Sequence, residues 1–265
     1  MASLPPLPHG LRRIRDFARE QCLLFLLALG FLSRLAPARQ ADNAQMSASV
    51  FYYPLAGLCI GAVACLPVLA WDLTGTRTGH ALVPAWLYVL LCAWLTRALH
   101  LDGLADVLDA VGSGKRGEAF RAVLKDSRIG AFGAAGLALV ICGHCFLVAA
   151  VLESGAWSPL LFAPLYGRCL PIVLVVLTRP YADTGLGALL NAAPRSACLA
   201  FAVFTALTGG LFCLGPGGLL AALLLTLPVL FFLVALSRRE GGYNGDFLGF
   251  AIVAGELAAL LAALL

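Results

Sequence analysis

A chain of 265 residues that is 61% hydrophobic and 12% charged, with a mean hydropathy of +0.93, lies far from soluble averages of about 45 to 50% apolar and 25% charged residues. A soluble globule is excluded, and with a formal net charge of only +4 no nucleic-acid partner is expected. The composition points to an all-α, polytopic helical protein whose first partner is the lipid bilayer.

At the N-terminus, Arg12, Arg13, Arg15 and Arg19 precede an apolar run from Cys22 to Leu32. The pattern imitates a signal peptide, but no small-residue cleavage site follows. If this run crossed the membrane, Arg12 to Arg19 would lie opposite Arg34 and Arg39. Residues 10–35 therefore read as an interfacial or re-entrant amphipathic helix. Seven stretches of roughly 20 apolar residues follow, near 51–71, 81–99, 131–152, 157–177, 197–214, 217–236 and 247–265, each long enough for one helical crossing. Backbone groups in lipid must be satisfied within the segment, so runs without alternation favour helices over a barrel.

Cytoplasmic loops retain Lys and Arg. Six fall before residue 50, five in 100–130, two in 178–196 and two in 237–246, against Arg77 on the other side. This places the 100–130 loop in the cytoplasm with Asp183, Glu240 and Asp246, and the C-terminus outside. The expected organisation is one integral membrane domain, 1–265. Within it, 1–50 is a cytoplasmic or interfacial segment and 100–130 an Asp-rich catalytic loop. Gly57 and Gly61 form a GxxxG packing face. The nine cysteines lie in or at the start of apolar runs and read as packing residues. Cys142, His144 and Cys145 lack the partner pair that a zinc site requires.

The stretch "LHLDGLADVLDAVGSGKRGEAFRAVLKDSRIGAFG", Leu99 to Gly133, carries the chemistry. If the helix of 81–99 continues inward, Asp102, Asp106 and Asp109 fall at i, i+4 and i+7, within about 60° on one face. Crowded hard oxygens of this kind suit Mg²⁺ or Mn²⁺ with substrate phosphates; the plainer alternative is a solvated helix end. After Gly112-Ser113-Gly114 comes an amphipathic segment, Glu118 to Lys125, with Phe120, Val123 and Leu124 toward the bundle. Lys125, Asp126 and Arg128 then offer one further metal ligand and two phosphate-binding charges, or else a cationic anchor before the next span. "GSGKRG" lacks the spacing of a nucleotide-binding P-loop.

Arg168 and Glu256 lie inside apolar spans, where a charge normally faces the bundle interior, either as a structural partner within the bundle or as a ligand contact. In "GGYNGDFLG", Asn244 and Asp246 stand at a helix start, where Asp is first of all an N-cap; a functional role for Asp246 follows from its sharing the inner face with the aspartates. His100 lies on the opposite side of its helix from Asp102 and is left outside the site.

"HLDGLADVLDA" followed by "KDSRIGAFG" closely resembles the cobalamin synthase family, the adenosylcobinamide-GDP ribazoletransferases. The likeness extends to "FLSRL", "YYPLAGLCIG", "YGR" with "YADTGLG", and "GGYNGDFLG". Where that family tends to read Asp-Gly after the third aspartate, this chain has Asp109-Ala110. The resemblance implies a bacterial inner-membrane enzyme completing the cobalamin nucleotide loop, with Mg²⁺ as cofactor. α-Ribazole, or its 5′-phosphate, would attack through its ribose 3′-hydroxyl the cobinamide-linked phosphorus of adenosylcobinamide-GDP, releasing GMP. It assigns Asp102, Asp106 and Asp109 to metal binding, with one of them or Asp126 as base, and Lys125 and Arg128 to the pyrophosphate. Arg168, Asn244 and Asp246 complete the candidate substrate contacts; a homo-oligomer is left open. Two rival readings are a transporter lined by Arg168, Glu256 and the aspartates, and a CDP-alcohol phosphotransferase. The motif of the latter is similar to the D-G-x-A-D-x-x-D of Asp102 to Asp109, but Asp106 follows Ala105 here where that motif usually has Arg.

Overall fold

The computed structural model describes residues 9–73, 81–182 and 185–265, so Arg77 and Asp183 lie outside the described residues. Among these residues the chain is helical, with no strand. The first helix, α1 (His9–Leu32), does not run along its neighbours. Tyr52 donates its hydroxyl to Gln21 at 2.6 Å, while Phe31 stacks on Tyr53. About 15 Å of α1 thus passes a single turn of chain, so α1 lies across one end of the bundle. Helices α2 (Asn43–Ser49), α3 (Tyr53–Ala64) and α4 (Leu66–Asp72), joined by short turns, make one apolar crossing from Asn43 to Asp72. The Gly57–Gly61 face packs on the helix of Ser158–Leu177, where Cβ atoms would meet the carbonyl oxygens of Pro164 and Leu160.

The predicted continuation of the 81–99 helix does not occur. Helix α5 (Leu82–Leu95) and α6 (Leu99–Gly112) meet at 88°, with Arg97 and Ala98 at φ of 56° and 54°. Left-handed backbone is unfavourable for residues with a side chain, and no Gly or Pro marks the corner. Arg97 holds it by donating to the carbonyls of Gly30, Phe31 and Ser33, which the end of α1 leaves without helical partners.

The remaining helices are α7 (Glu118–Leu124), α8 (Ala131–Glu153), α9 (Ser158–Leu177), α10 (Leu186–Asn191), α11 (Arg195–Glu240) and α12 (Gly245–Ala262). Phe120 of α7 is fully buried, with Val123 and Leu124 packed beside it. The 46 residues of α11 are folded back on themselves at Gly215, whose φ of 73° precedes Pro216. Thr205 approaches Cys169 and Thr226 bonds Tyr166, one turn apart on α9. Arg195, at the start, comes within electrostatic reach of Tyr243, just past the end. Five described helices are long and apolar enough to cross a membrane, or six with the bent α5–α6 pair. The doubling of α11 divides its limbs at the break read between 197–214 and 217–236.

Helix α9 occupies the centre, flanked by α3, α11 and α12. Ser158, at its start, bonds the Cys213 carbonyl beside the α11 turn, which defines one end of the bundle. At the other gather α1, α6, α7, α10 and the start of α12. Every described Lys and Arg except Arg168 belongs to segments at this second end.

Candidate active site

Because α6 turns at a right angle to α5, it runs across the bundle end over the first turns of α12 and α8. Two glycines allow this approach. A methyl at Gly103 would sit 2.8 Å from Asp246 Cα, and one at Gly249 3.3 Å from His100 Cα. Backbone therefore meets backbone, which brings Asp246 to the aspartate face of α6. Asp106 is half-buried and within electrostatic reach of Asp246, Asp102 and Asp109. No described Lys or Arg forms an ion pair with Asp102, Asp106 or Asp246.

The N-cap of α12 is Asn244, not Asp246 as the sequence suggests. Its Oδ1 accepts the Phe247 N–H at 3.4 Å, and its Nδ2 donates to Asp246 Oδ2 at 2.6 Å. Asn244 thus satisfies the helix start and fixes the carboxylate, leaving Asp246 free to face α6. Asp109 has a different employment from its neighbours. Its two oxygens accept the N–H groups of Gly130 and Gly133 at 2.7 and 2.8 Å. It caps α8 from another helix, placing a negative charge at the positive end of that helix. The glycines of "RIGAFG" follow from this, since a Cβ at either would collide with the Asp109 carboxylate.

Lys125, Asp126 and Arg128 do not act as one cluster. Arg128 donates from Nε and Nη2 to Asp126 at 2.9 and 2.7 Å, and its backbone N–H adds a third bond. These bonds hold the exposed Asp126 carboxyl at about 2, well below its usual range. Lys125 instead lines a small cavity with Asn244, Arg121 and Tyr181. Arg121 stacks 4.5 Å over the Tyr181 ring and donates to the Glu240 carbonyl. The buried Glu240 carboxylate accepts the Gly117 N–H at 2.7 Å, tying the glycine loop to the end of α11. Sequence reasoning singled out neither Arg121 nor Tyr181, because nothing local distinguishes Arg121 from the other loop cations.

Arg168 sits in the middle of α9, 1% exposed. It pairs with Glu256 of α12 and donates to the Pro164 carbonyl, while His144 of α8 stands 3.6 Å from the same carboxylate. The cluster is remote in character from the aspartate face: its charges are buried and mutually paired. His100 lines the cavity beside this cluster and also a second cavity shared with Asp102 and Asp246.

Among the described residues, no three His, Cys, Asp or Glu side chains form a ready metal cage. The donor chemistry of Asp102, Asp106 and Asp246 nonetheless fits a hard divalent cation. Ionised, they are acceptor-only oxygens lacking a cationic partner, and Mg²⁺ takes one or two carboxylates together with waters and substrate phosphates.

The family model for cobalamin-5-phosphate synthase matches residues 24–264. An adenosylcobinamide-GDP ribazoletransferase of Nitratidesulfovibrio vulgaris (strain Miyazaki F) is 43% identical over 253 residues, covering 96% of this chain and 99% of that protein. One from strain DP4 is 41% identical over 90% of this chain and 96% of its own length. One from Citrobacter koseri is 34% identical over 91% and 99%. No solved structure matches the chain. The match runs through every helix that builds the aspartate face, and the chain belongs to the cobalamin-5-phosphate synthase family.

Proposed function

We propose that this chain is an adenosylcobinamide-GDP ribazoletransferase, Mg²⁺-dependent, working at the cytoplasmic face of a bacterial inner membrane. The observation that carries the reading is the meeting of Asp102, Asp106 and Asp246 at the α6–α12 crossing, like charges with no cation of the protein among them. Such an arrangement is costly unless something positive arrives with the substrate. The cytoplasmic assignment rests on the Lys and Arg gathered at that end.

In the reaction, the 3′-hydroxyl oxygen of α-ribazole, or of its 5′-phosphate, bonds to the cobinamide-linked phosphorus. The bond from that phosphorus to the bridging oxygen breaks, and GMP leaves with the bridging oxygen. Asp106, which lies within electrostatic reach of both Asp102 and Asp246, takes the hydroxyl proton. Asp102 and Asp246 would hold Mg²⁺, which supplies neutralisation of the pyrophosphate charge. Lys125, beside Asn244, contacts a phosphate oxygen, and Arg128 adds a second cation on leaving Asp126. Asp109 positions α8, and Arg168 holds the bundle without touching substrate. Purified protein given adenosylcobinamide-GDP, α-ribazole and Mg²⁺ should release GMP and form a cobalamin product. No GMP with any divalent metal would overturn the reading.

A further inference from the structure

The cavity that Asp102 and Asp246 share has a volume of about 90 Å³ and is otherwise walled mainly by apolar groups. Phe31 of α1, Tyr53 of α3 and Leu186 and Leu190 of α10 form its sides, with the Phe31 and Tyr53 rings within 14° of parallel. Tyr53 and Leu190 are buried. Two carboxylates at an apolar recess that is continuous with the reacting face invite a substrate part that is itself apolar. Ribazole carries such a part: its base is a flat bicyclic ring with two methyl groups and no hydrogen-bond donor. A guanine edge in the same place would draw its N–H donors to the carboxylates that the metal needs and leave its carbonyl facing Leu and Phe, at the cost of an unmade hydrogen bond. A corrin is far too large. At about 90 Å³ the recess is smaller than the roughly 150 Å³ cavity that takes up benzene, so it encloses one edge of a bicyclic base.

We propose that this recess between α1, α3 and α10 is the specificity pocket for the methyl-bearing edge of the nucleoside base, holding the ribose at the aspartate face. The inference rests on the ribazoletransferase reading. Its test compares α-ribazole with the riboside of unmethylated benzimidazole, in the wild type and in Leu186→Trp and Leu186→Ala. In the wild type, removing both methyls should lower kcat/KM about tenfold or more, the range of small apolar groups in a fitted pocket. Leu186→Trp, which fills the recess, should lower kcat/KM for α-ribazole by a similar factor and affect the unmethylated riboside less. KM for adenosylcobinamide-GDP should stay within twofold. Leu186→Ala, which enlarges the recess, should shrink the discrimination between the two nucleosides, and it carries the test if the Trp variant does not fold. Equal use of both nucleosides by the wild type overturns the pocket, as does a rise in KM for the GDP-linked substrate alone, which would mark the recess as the guanine site. If the wild type releases no GMP with either nucleoside, the ribazoletransferase reading itself fails, and the pocket with it.

Discussion

The charges at the end of the bundle and those at its middle are handled in opposite ways. Arg168, Glu256 and His144 come from three helices and point at one another, the Arg side chain 1% exposed. Asp102, Asp106 and Asp246 come from two helices and share only negative charge. A buried charge without a partner is intolerable in an apolar interior, so the middle cluster is closed within the protein. The end cluster can stay uncompensated because water reaches it. On the proposed function, the difference separates scaffold from site better than residue type does.

The sharpest way to break this contrast is to open the closed cluster. Glu256→Ala leaves Arg168 buried alone and should cost about 3–5 kcal/mol, read as a large fall in the unfolding temperature in detergent micelles. Asp106→Asn should act in the reverse sense. Turnover should fall on the order of 10²–10³-fold, as when a charge-stabilising group is removed, while the unfolding temperature holds or rises because like-charge repulsion is relieved. Full activity in Asp106→Asn would remove that residue from the site. Asp109→Ala tests the carboxylate that belongs to neither class. Loss of the α8 cap should cost about 0.5–2 kcal/mol, and the protein should unfold earlier even in the absence of substrate.

The smallest effect is expected at Asp126. Arg128→Ala should let its carboxyl return from about 2 toward the ordinary value of about 3.9, as followed by carboxyl NMR. The sign follows from the depressed pKa. The pair contributes above the unfolded value, and that contribution is lost as pH falls from about 4 toward 2. Being exposed, it should leave the unfolding temperature at neutral pH unchanged.

The helical class and the aspartate face were legible because both depend on local periodicity. The apolar stretches set the crossings, and the gap between 197–214 and 217–236 coincides with the turn within α11. The partners were not legible, since each lies far away in the chain. Asp109 shares the 3.6-residue rhythm of Asp102 and Asp106, yet its carboxylate is taken by amides 21 and 24 residues on. Arg168 and Glu256 are recognisable as intramembrane charges, but their pairing spans 88 residues. The corner at Arg97 escaped for a further reason: it is imposed by the end of α1, and an Arg-Ala pair has no turn propensity to announce it. Asp246 does stand at the helix start that its sequence indicates, but the capping role belongs to Asn244, two residues earlier.

On the proposed function, the right angle between α5 and α6 also sets where the work would be done relative to the lipid. A helix that continued straight would have buried its aspartates or carried them away from the bundle on a stalk. Turned flat across the starts of α8 and α12, α6 forms a shelf at the membrane surface, anchored beneath by apolar helices and open above to water. A bulky, water-loving substrate can settle on such a shelf without entering the bilayer, while an apolar fragment of its co-substrate reaches down behind the edge. The corner held by Arg97 would thus let one small protein face two solvents at a single proposed reacting point.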